Sequence, residues 1–333
     1  MKIIFPEGSA VYTTARGIQL CGDSRELLKH LPEESVDLIV TSPPFALLRQ
    51  KAYGNVTQRD YVSWLLEFGR EAKRVLRSTG SFVLDLGGAY RRGKPSRSLY
   101  NYRVLIEFCD TLGYQLAEEF FWYNPAKLPS PIEWVNKRKI RVKDAVDTIW
   151  WFSKDDFPRA DVTQVLVPYS ERMKKLLQNP DRFYKPGQRP SGHDISQAFA
   201  NGRDGAIPSN LLEISNTASN SHYQRVCKLL GRQRHPARFP EDLPAFFIKF
   251  LTQPGDLVLD IFSGSNTTGY VAETLNRRWL SMEIDRSYAA LSAIRFLDTD
   301  PDTTEALIES MEQGGCVSID KVMIAKQESL FTS

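Results

Sequence analysis

Short apolar runs alternate with helix-period stretches through the first half of the chain. Residues 36–41 form a β-rich run that stops at Pro43-Pro44. Apolar positions at helical spacing follow from Tyr61 to Leu76, and Thr79-Gly80 ends them. Residues 81–86 read as the next strand, halted by Gly87-Gly88. Residues 102–112 are helical in pattern and close on Gly113, and 119–123 and 147–152 are two further strand candidates. After Gln233 the alternation returns, with helices over 241–251, 267–276 and 286–296 and strands over 257–262 and 279–283. Strands alternating with helices predict an α/β fold with a mostly parallel, doubly wound sheet. There are no internal repeats.

Between 153 and 233 the pattern weakens into a polar stretch rich in Pro, Gly, Asn and Ser. That is too long for a loop in a compact domain. Phe183, Tyr184, Phe199, Ile207, Leu211, Leu212 and Tyr223 offer a small core, so an inserted recognition module is expected there, against a disordered linker.

Composition adds exclusions. The 333 residues are 42% apolar and 25% charged, which is ordinary globular composition. Forty-three Lys+Arg against forty Asp+Glu leave a net charge of +3, which by itself points to no nucleic-acid partner. Cys21, Cys109, Cys227 and Cys316 form no CxxC pair, and His30, His193, His222 and His235 show no metal spacing, so no metal site is expected. The start MKIIFPEGSA lacks the apolar core of a signal peptide, and no run approaches 18 apolar residues. A soluble, reduced, intracellular protein is the expectation.

Two places carry chemistry. The strand over 257–262 runs into Ser263-Gly264-Ser265-Asn266-Thr267 and then a helix, a layout that brings backbone amides close to a ligand. Glu283 lies 19 residues beyond Gly264, close to the spacing of a ribose-binding carboxylate, and Asp260 adds a second acid at the strand end. A nucleoside-containing cofactor fits, against an ordinary βαβ turn. A nicotinamide or flavin fits less well, because Asn266 replaces the second glycine of GxGxxG. The other place is Ser42-Pro43-Pro44-Phe45, directly after the strand over 36–41. Two prolines fix the backbone there. Ser42 Oγ and the Pro43 carbonyl can accept both N–H bonds of an amino group on a flat ring, while Phe45 stacks on the ring.

These residues resemble the motifs of DNA amino-methyltransferases. Thr41 to Phe45 is similar to their catalytic tetrapeptide, and Asp260-Ile261-Phe262-Ser263-Gly264 to their S-adenosylmethionine loop. Leu20 to Ser24 resembles the segment whose aspartate, here Asp23, reaches the cofactor's adenine. His235-Pro236-Ala237-Arg238-Phe239-Pro240 resembles the motif that closes the cofactor pocket. With the tetrapeptide first and the cofactor loop last, the order is that of the circularly permuted β class. Serine at the first catalytic position goes mostly with N4-cytosine methylation.

The resemblance implies a Rossmann-like methyltransferase domain whose catalytic half spans 1–152 and whose cofactor half spans 234–300. A target-recognition insert over 153–233 and a C-terminal extension over 301–333 complete it. It implies Ser42, Pro43, Pro44 and Phe45 as catalytic residues. It also implies Asp23, Phe239, Asp260, Phe262, Gly264, Ser265, Asn266, Thr267 and Glu283 around S-adenosylmethionine. Asp85 ends a strand expected beside the Ser42 strand and is read as proton acceptor, against a turn-capping carboxylate. The target base has to leave the duplex to be reached. The family association further implies a bacterial restriction–modification system, and the chain is expected to act as a cytoplasmic monomer on duplex DNA.

That setting changes the reading of two basic runs. Lys137, Arg138, Lys139, Arg141 and Lys143 lie within seven residues, and Arg91, Arg92, Lys94 and Arg97 within another seven. Both are expected in loops that hold phosphates. Arg189, His193, Asn201, Arg203, Asn210, Asn216, Asn220 and Gln224 are candidate base readers. The pairs Phe120-Phe121 and Trp150-Trp151 are expected in the core. C5-cytosine methylation is excluded, because no cysteine follows a proline, and zinc deamination because HxE and PCxxC are absent. Adenine N6 methylation, a nicotinamide-dependent oxidoreductase and a noncatalytic DNA-binding module remain as alternatives.

Overall fold

The computed structural model describes residues 3–46, 57–180, 204–216 and 221–322, in two units comprising 1–159 with 210–333, and 160–209. In the larger unit the strands are β1 (Ala10–Thr13), β2 (Gly17–Cys21), β3 (Val36–Thr41), β4 (Leu76–Leu86), β5 (Gln115–Tyr123), β6 (Val146–Ser153), β7 (Leu211–Glu213), β8 (Leu257–Asp260), β9 (Arg278–Glu283) and β10 (Val317–Ser318). They make one sheet in the order β10-β1-β2-β9-β8-β3-β4-β6-β5-β7. Six of the nine pairings among the described residues are parallel. The exceptions are β1 on β2 and β6 against both β4 and β5.

Period-two alternation sorts the strand side chains into two cores. Leu38, Val40 and Val83 face one layer, and Ile39, Phe82 and Leu84 the other. The second layer is covered by α1 (Ser24–Leu28), α2 (Tyr61–Val75) and α3 (Tyr100–Asp110). The smaller unit contributes α4 (Glu171–Gln178) and a bridge between Val167 and Ala206. The first layer is covered by α5 (His222–Leu229), α6 (Asp242–Leu251), α7 (Thr267–Thr274), α8 (Arg286–Ser292) and α9 (Pro301–Glu312).

The connection β3–α2–β4 thus crosses one face, and β8–α7–β9 crosses the opposite face. Because β3 and β8 are neighbours, the chain reverses its winding between them. Ligands of open α/β sheets sit beyond the strand carboxyl ends at such a switch point. Both expected motifs leave the sheet there, the Ser42 corner from β3 and the Gly264 loop from β8.

Several expectations shift. The helix expected to reach Leu76 ends at Val75, and Thr79-Gly80 lies inside the long strand β4. Leu212 and Tyr223, expected in the insert, are buried in the first core layer, because β7 pairs in parallel with β5 and α5 packs against the sheet. Ile207 is exposed, while Phe183, Tyr184 and Phe199 lie outside the described residues. Phe120, Trp150 and Trp151 are buried as expected, and Phe121 is half-buried. Strands β1, β2, β7 and β10 and helices α1, α4, α5 and α9 carried too little periodicity to be foreseen. Among the described residues no helix is long and apolar enough to cross a membrane, and no cluster of His, Cys, Asp or Glu is placed to hold a metal ion.

Candidate active site

The Ser42 corner is fixed from three sides. Thr41 Oγ1 donates to Asp260 Oδ1 (2.7 Å), which also accepts the Phe262 amide (3.1 Å), so one buried carboxylate ties the corner to the end of β8. Tyr61 Oη donates to the Pro44 carbonyl (2.8 Å), and Gln58 Nε2 to those of Ala46 and Tyr90. Ser42 Oγ donates to Asp85 Oδ2 (3.0 Å). Phe45 packs on Gly87, where a Cβ would come within 2.5 Å of its ring, so the close approach needs glycine.

Asp85 is buried, and its Oδ1 has no hydrogen-bond partner among the described residues. Burial first, and the nearby Asp147 carboxylate second, push its pKa well above the ordinary carboxylate range. Burial also raises Asp147, opposed by Lys127, whose Nζ sits 3.2 and 3.1 Å from the two Asp147 oxygens. Burial pushes Asp260 up to about 6, against the hydrogen bond from Thr41.

The loop after β8 is held by its own side chains. Gly264 has φ of +50°, and a Cβ there would meet the His235 ring at 2.8 Å. Its amide donates to Glu283 Oε2 (2.8 Å), while the Asp285 amide takes Oε1 (3.0 Å). Burial raises the Glu283 pKa, and these two bonds oppose it. Asn266 is left-handed at φ of +51° and caps α7 by accepting from the Gly269 amide (3.0 Å). It also accepts from Ser281 Oγ (2.7 Å) and donates to Tyr12 Oη (2.9 Å). Arg295, its side chain 5% exposed, donates to the Ser265 carbonyl (2.6 Å) and to Thr267 Oγ1 (2.9 Å).

Two cavities open here. The smaller, ≈ 440 Å³, is lined by Asp23, Glu283 and Phe262, with Trp64 and Phe68 as aromatic walls. Arg25 holds Asp23 below the ordinary carboxylate range through a side-chain hydrogen bond. The larger, ≈ 870 Å³, is lined by Asp85, Asp147, Lys127, Arg91, Trp122 and Trp134 among others. Both volumes fall in the range of small-molecule sites. Ser42, Phe45, His235, Ala237 and Phe262 line both cavities, so the two spaces meet at the proline corner.

Most expected residues converge, with exceptions. Asp260 and Asn266 line neither cavity, since both are buried beneath the loop and bonded to protein. Phe239, Gly264, Ser265 and Thr267 line the larger cavity rather than the smaller. Gln224 is buried in α5 and accepts from Arg234, and Asn210 Nδ2 donates to the Glu119 carbonyl, which turns both toward protein rather than bases. Asn216 lines the larger cavity. Arg189, His193, Asn201, Arg203 and Asn220 lie outside the described residues. Lys127 and Asp147 were not foreseen, because neither stands in a motif. Nor were Trp64 and Phe68, whose i, i+4 spacing reads as a core stripe.

The two basic runs are neighbours. Since β6 runs antiparallel to β4 and β5, the loop after β4 and the loop before β6 emerge at one edge. Arg141 Nε donates to the Pro95 carbonyl (2.9 Å), and Arg97 pairs with Asp144 (2.6 Å). Arg92, Lys94, Lys137, Arg138, Lys139 and Arg141 are exposed, as is Arg91.

Residues 36–294 match the family model described as DNA methylase. The type II methyltransferase M.PvuII of Proteus hauseri is 59% identical over 289 residues, 87% of this chain and 86% of that one. M.BglII of Bacillus subtilis is 27% identical over 281 residues, 84% and 69% of the two chains. The solved PvuII DNA methyltransferase (cytosine-N4-specific) superposes with a TM-score of 0.79 at 48% identity, covering 95% of this chain and 99% of that one. With the proline corner and the glycine loop at one switch point, and these matches along most of its length, this chain belongs to the DNA methylase family.

Proposed function

We propose that the chain is a site-specific DNA methyltransferase that methylates the exocyclic N4 amine of a cytosine turned out of duplex DNA. The observation that carries this is the meeting of two cavities at Ser42 and Phe45, with Ser42 already bonded to a buried carboxylate. The smaller cavity suits S-adenosylmethionine: Asp23 and Glu283 offer acceptors for a nucleoside, and Trp64, Phe68 and Phe262 offer π-faces to a cation. When bound, that cofactor supplies a methyl group already activated on a sulfonium.

The chain's own task is then positioning, which can supply about 7–11 kcal/mol. Ser42 Oγ and the Pro43 carbonyl accept the two amine hydrogens, drawing the nitrogen lone pair out of the ring. Phe45 holds the base plane. As the methylated nitrogen sheds a proton to Ser42 Oγ, Ser42 passes its own to Asp85. Arg91 and the loop over 137–143 bind phosphates, and the smaller unit over 160–209 reads the target sequence. The larger cavity receives the base. The relatives are type II modification enzymes, so protection of bacterial DNA from a cognate nuclease, by a cytoplasmic monomer, is the cellular reading.

Methyl transfer from labelled S-adenosylmethionine to a defined plasmid, with mass spectrometry of the nucleosides, tests this. N4-methylcytosine at one repeated sequence is the expected product. N6-methyladenine alone would refute the cytosine reading, and absent cofactor binding in calorimetry would refute methyl transfer altogether.

A further inference from the structure

Asp85 is a poorly equipped proton acceptor on its own. It is 4% exposed, receives one hydrogen bond from Ser42, and has no bond at Oδ1 among the described residues. A buried carboxylate in that state favours its protonated form, in which it can take nothing. The pairing register supplies what surrounds it. Asp85 stands opposite Ile149 on β6, and alternation puts Asp147 on the same face as a diagonal neighbour. A second carboxylate there makes ionisation of Asp85 harder still. Lys127, on the loop after β5, places its ammonium across both Asp147 oxygens. Exposure rises outward through the three groups, from 4% at Asp85 to 16% at the Asp147 side chain and 32% at that of Lys127. All three line the cavity proposed for the base.

We infer that Lys127 and Asp147 are positioning residues for proton removal: the ion pair neutralises the charge beside Asp85, so that Asp85 can take the proton passed through Ser42 and release it outward along Asp147. This role rests on Asp85 being the acceptor proposed above. The other groups facing the pair do not replace it. Arg97 pairs with Asp144, Tyr100 Oη donates to the Gly87 carbonyl, and Ser42 is the entry of the relay itself. A half-buried ion pair loses much of its Coulombic gain to desolvation, so stability alone gives no reason for its place beside a buried acid in the cavity wall.

The two single variants pull in opposite directions, which separates tuning from damage. Lys127→Met leaves the Asp147 charge uncompensated, disfavours ionised Asp85, and moves the acid limb of the single-turnover pH–rate profile upward by about one pH unit. Asp147→Asn removes the like charge and moves the limb downward by about one unit. Lys127→Arg returns the wild-type limb. The same opposite displacements are expected for the Asp85 carboxyl in carbon-13 NMR titration of the full chain without DNA, assigned with Asp85→Asn. Equal limbs in both variants, or displacement in one direction only, would overturn the role of the pair. If the NMR titrations separate while the rate profiles stay together, Asp85 is not the acceptor and the relay fails with it, although methyl transfer stands.

Discussion

The two halves of the site are built on different principles. At the smaller cavity, Glu283 is held by the Gly264 and Asp285 amides, and the loop after β8 turns through two left-handed residues, Gly264 and Asn266, all within a short span of chain. Around the larger, Asp85, Asp147, Lys127 and the basic loops come from strands whose neighbourhood depends on the antiparallel insertion of β6. As proposed, the first half binds through conformation and the second through charge. The contrast predicts that cofactor and DNA binding fail separately, each to its own kind of substitution.

The largest expected effect is conformational. Gly264→Val forces a branched side chain into a left-handed backbone and onto the His235 ring, 2.8 Å from where its Cβ would sit. Misplacing the loop by about 1 Å is expected to lower methyl transfer about 10²-fold or more. Because the Gly264 amide holds Glu283 at the smaller cavity, calorimetry should show the loss in cofactor affinity, while DNA affinity, set by the phosphate contacts, stays at wild-type level. A variant that binds both normally would mean that the loop tolerates the other backbone region.

Charge reversal of Lys137, Arg138, Lys139 and Arg141 is the converse. DNA affinity should fall on all sequences alike, and the slope of log K against log salt should become shallower by about 1 for each phosphate no longer neutralised. Glu133 already pairs with Lys137 (3.4 Å) and Arg138 (3.0 Å), so reversing Lys139 and Arg141 should flatten the slope more than reversing the other two. Fluorescence anisotropy across a salt series reads both quantities. An unchanged slope would mean that another loop holds the phosphates.

The same contrast explains what the sequence disclosed. Ser42-Pro43-Pro44-Phe45, Gly264 and Glu283 were legible because their chemistry lies in local conformation and fixed spacing: a proline corner, a positive φ, a carboxylate 19 residues on. The α/β architecture was legible from the same alternation of periods. Lys127 and Asp147 were not, because no local pattern shows that β6 runs antiparallel between β4 and β5 and so brings residue 147 beside residue 85. Asp260 and Asn266 are the opposite case. Their motif positions pointed at a ligand, and their side chains turn into the protein. The boundary of the smaller unit was blurred for a related reason, since Leu211–Glu213 is too short to announce a strand without β5 beside it.

Asn266 sharpens the conformational side by the smallest margin. Its left-handed φ of +51° is one that glycine adopts at no cost, so Asn266→Gly keeps the loop path. Replacing an Asn cap by Gly costs only a few tenths of a kcal/mol. The larger loss is buried: Ser281 Oγ, fully enclosed, loses its acceptor, while Tyr12 Oη keeps its bond to Ser292 (2.8 Å). One stranded hydroxyl costs about 1–3 kcal/mol, partly offset by the relieved backbone. Urea denaturation is therefore expected to show a stability loss of about 1–2 kcal/mol, with cofactor affinity unchanged. An affinity loss of tenfold, about 1.4 kcal/mol, at unchanged stability would show instead that the amide side chain itself reaches the ligand.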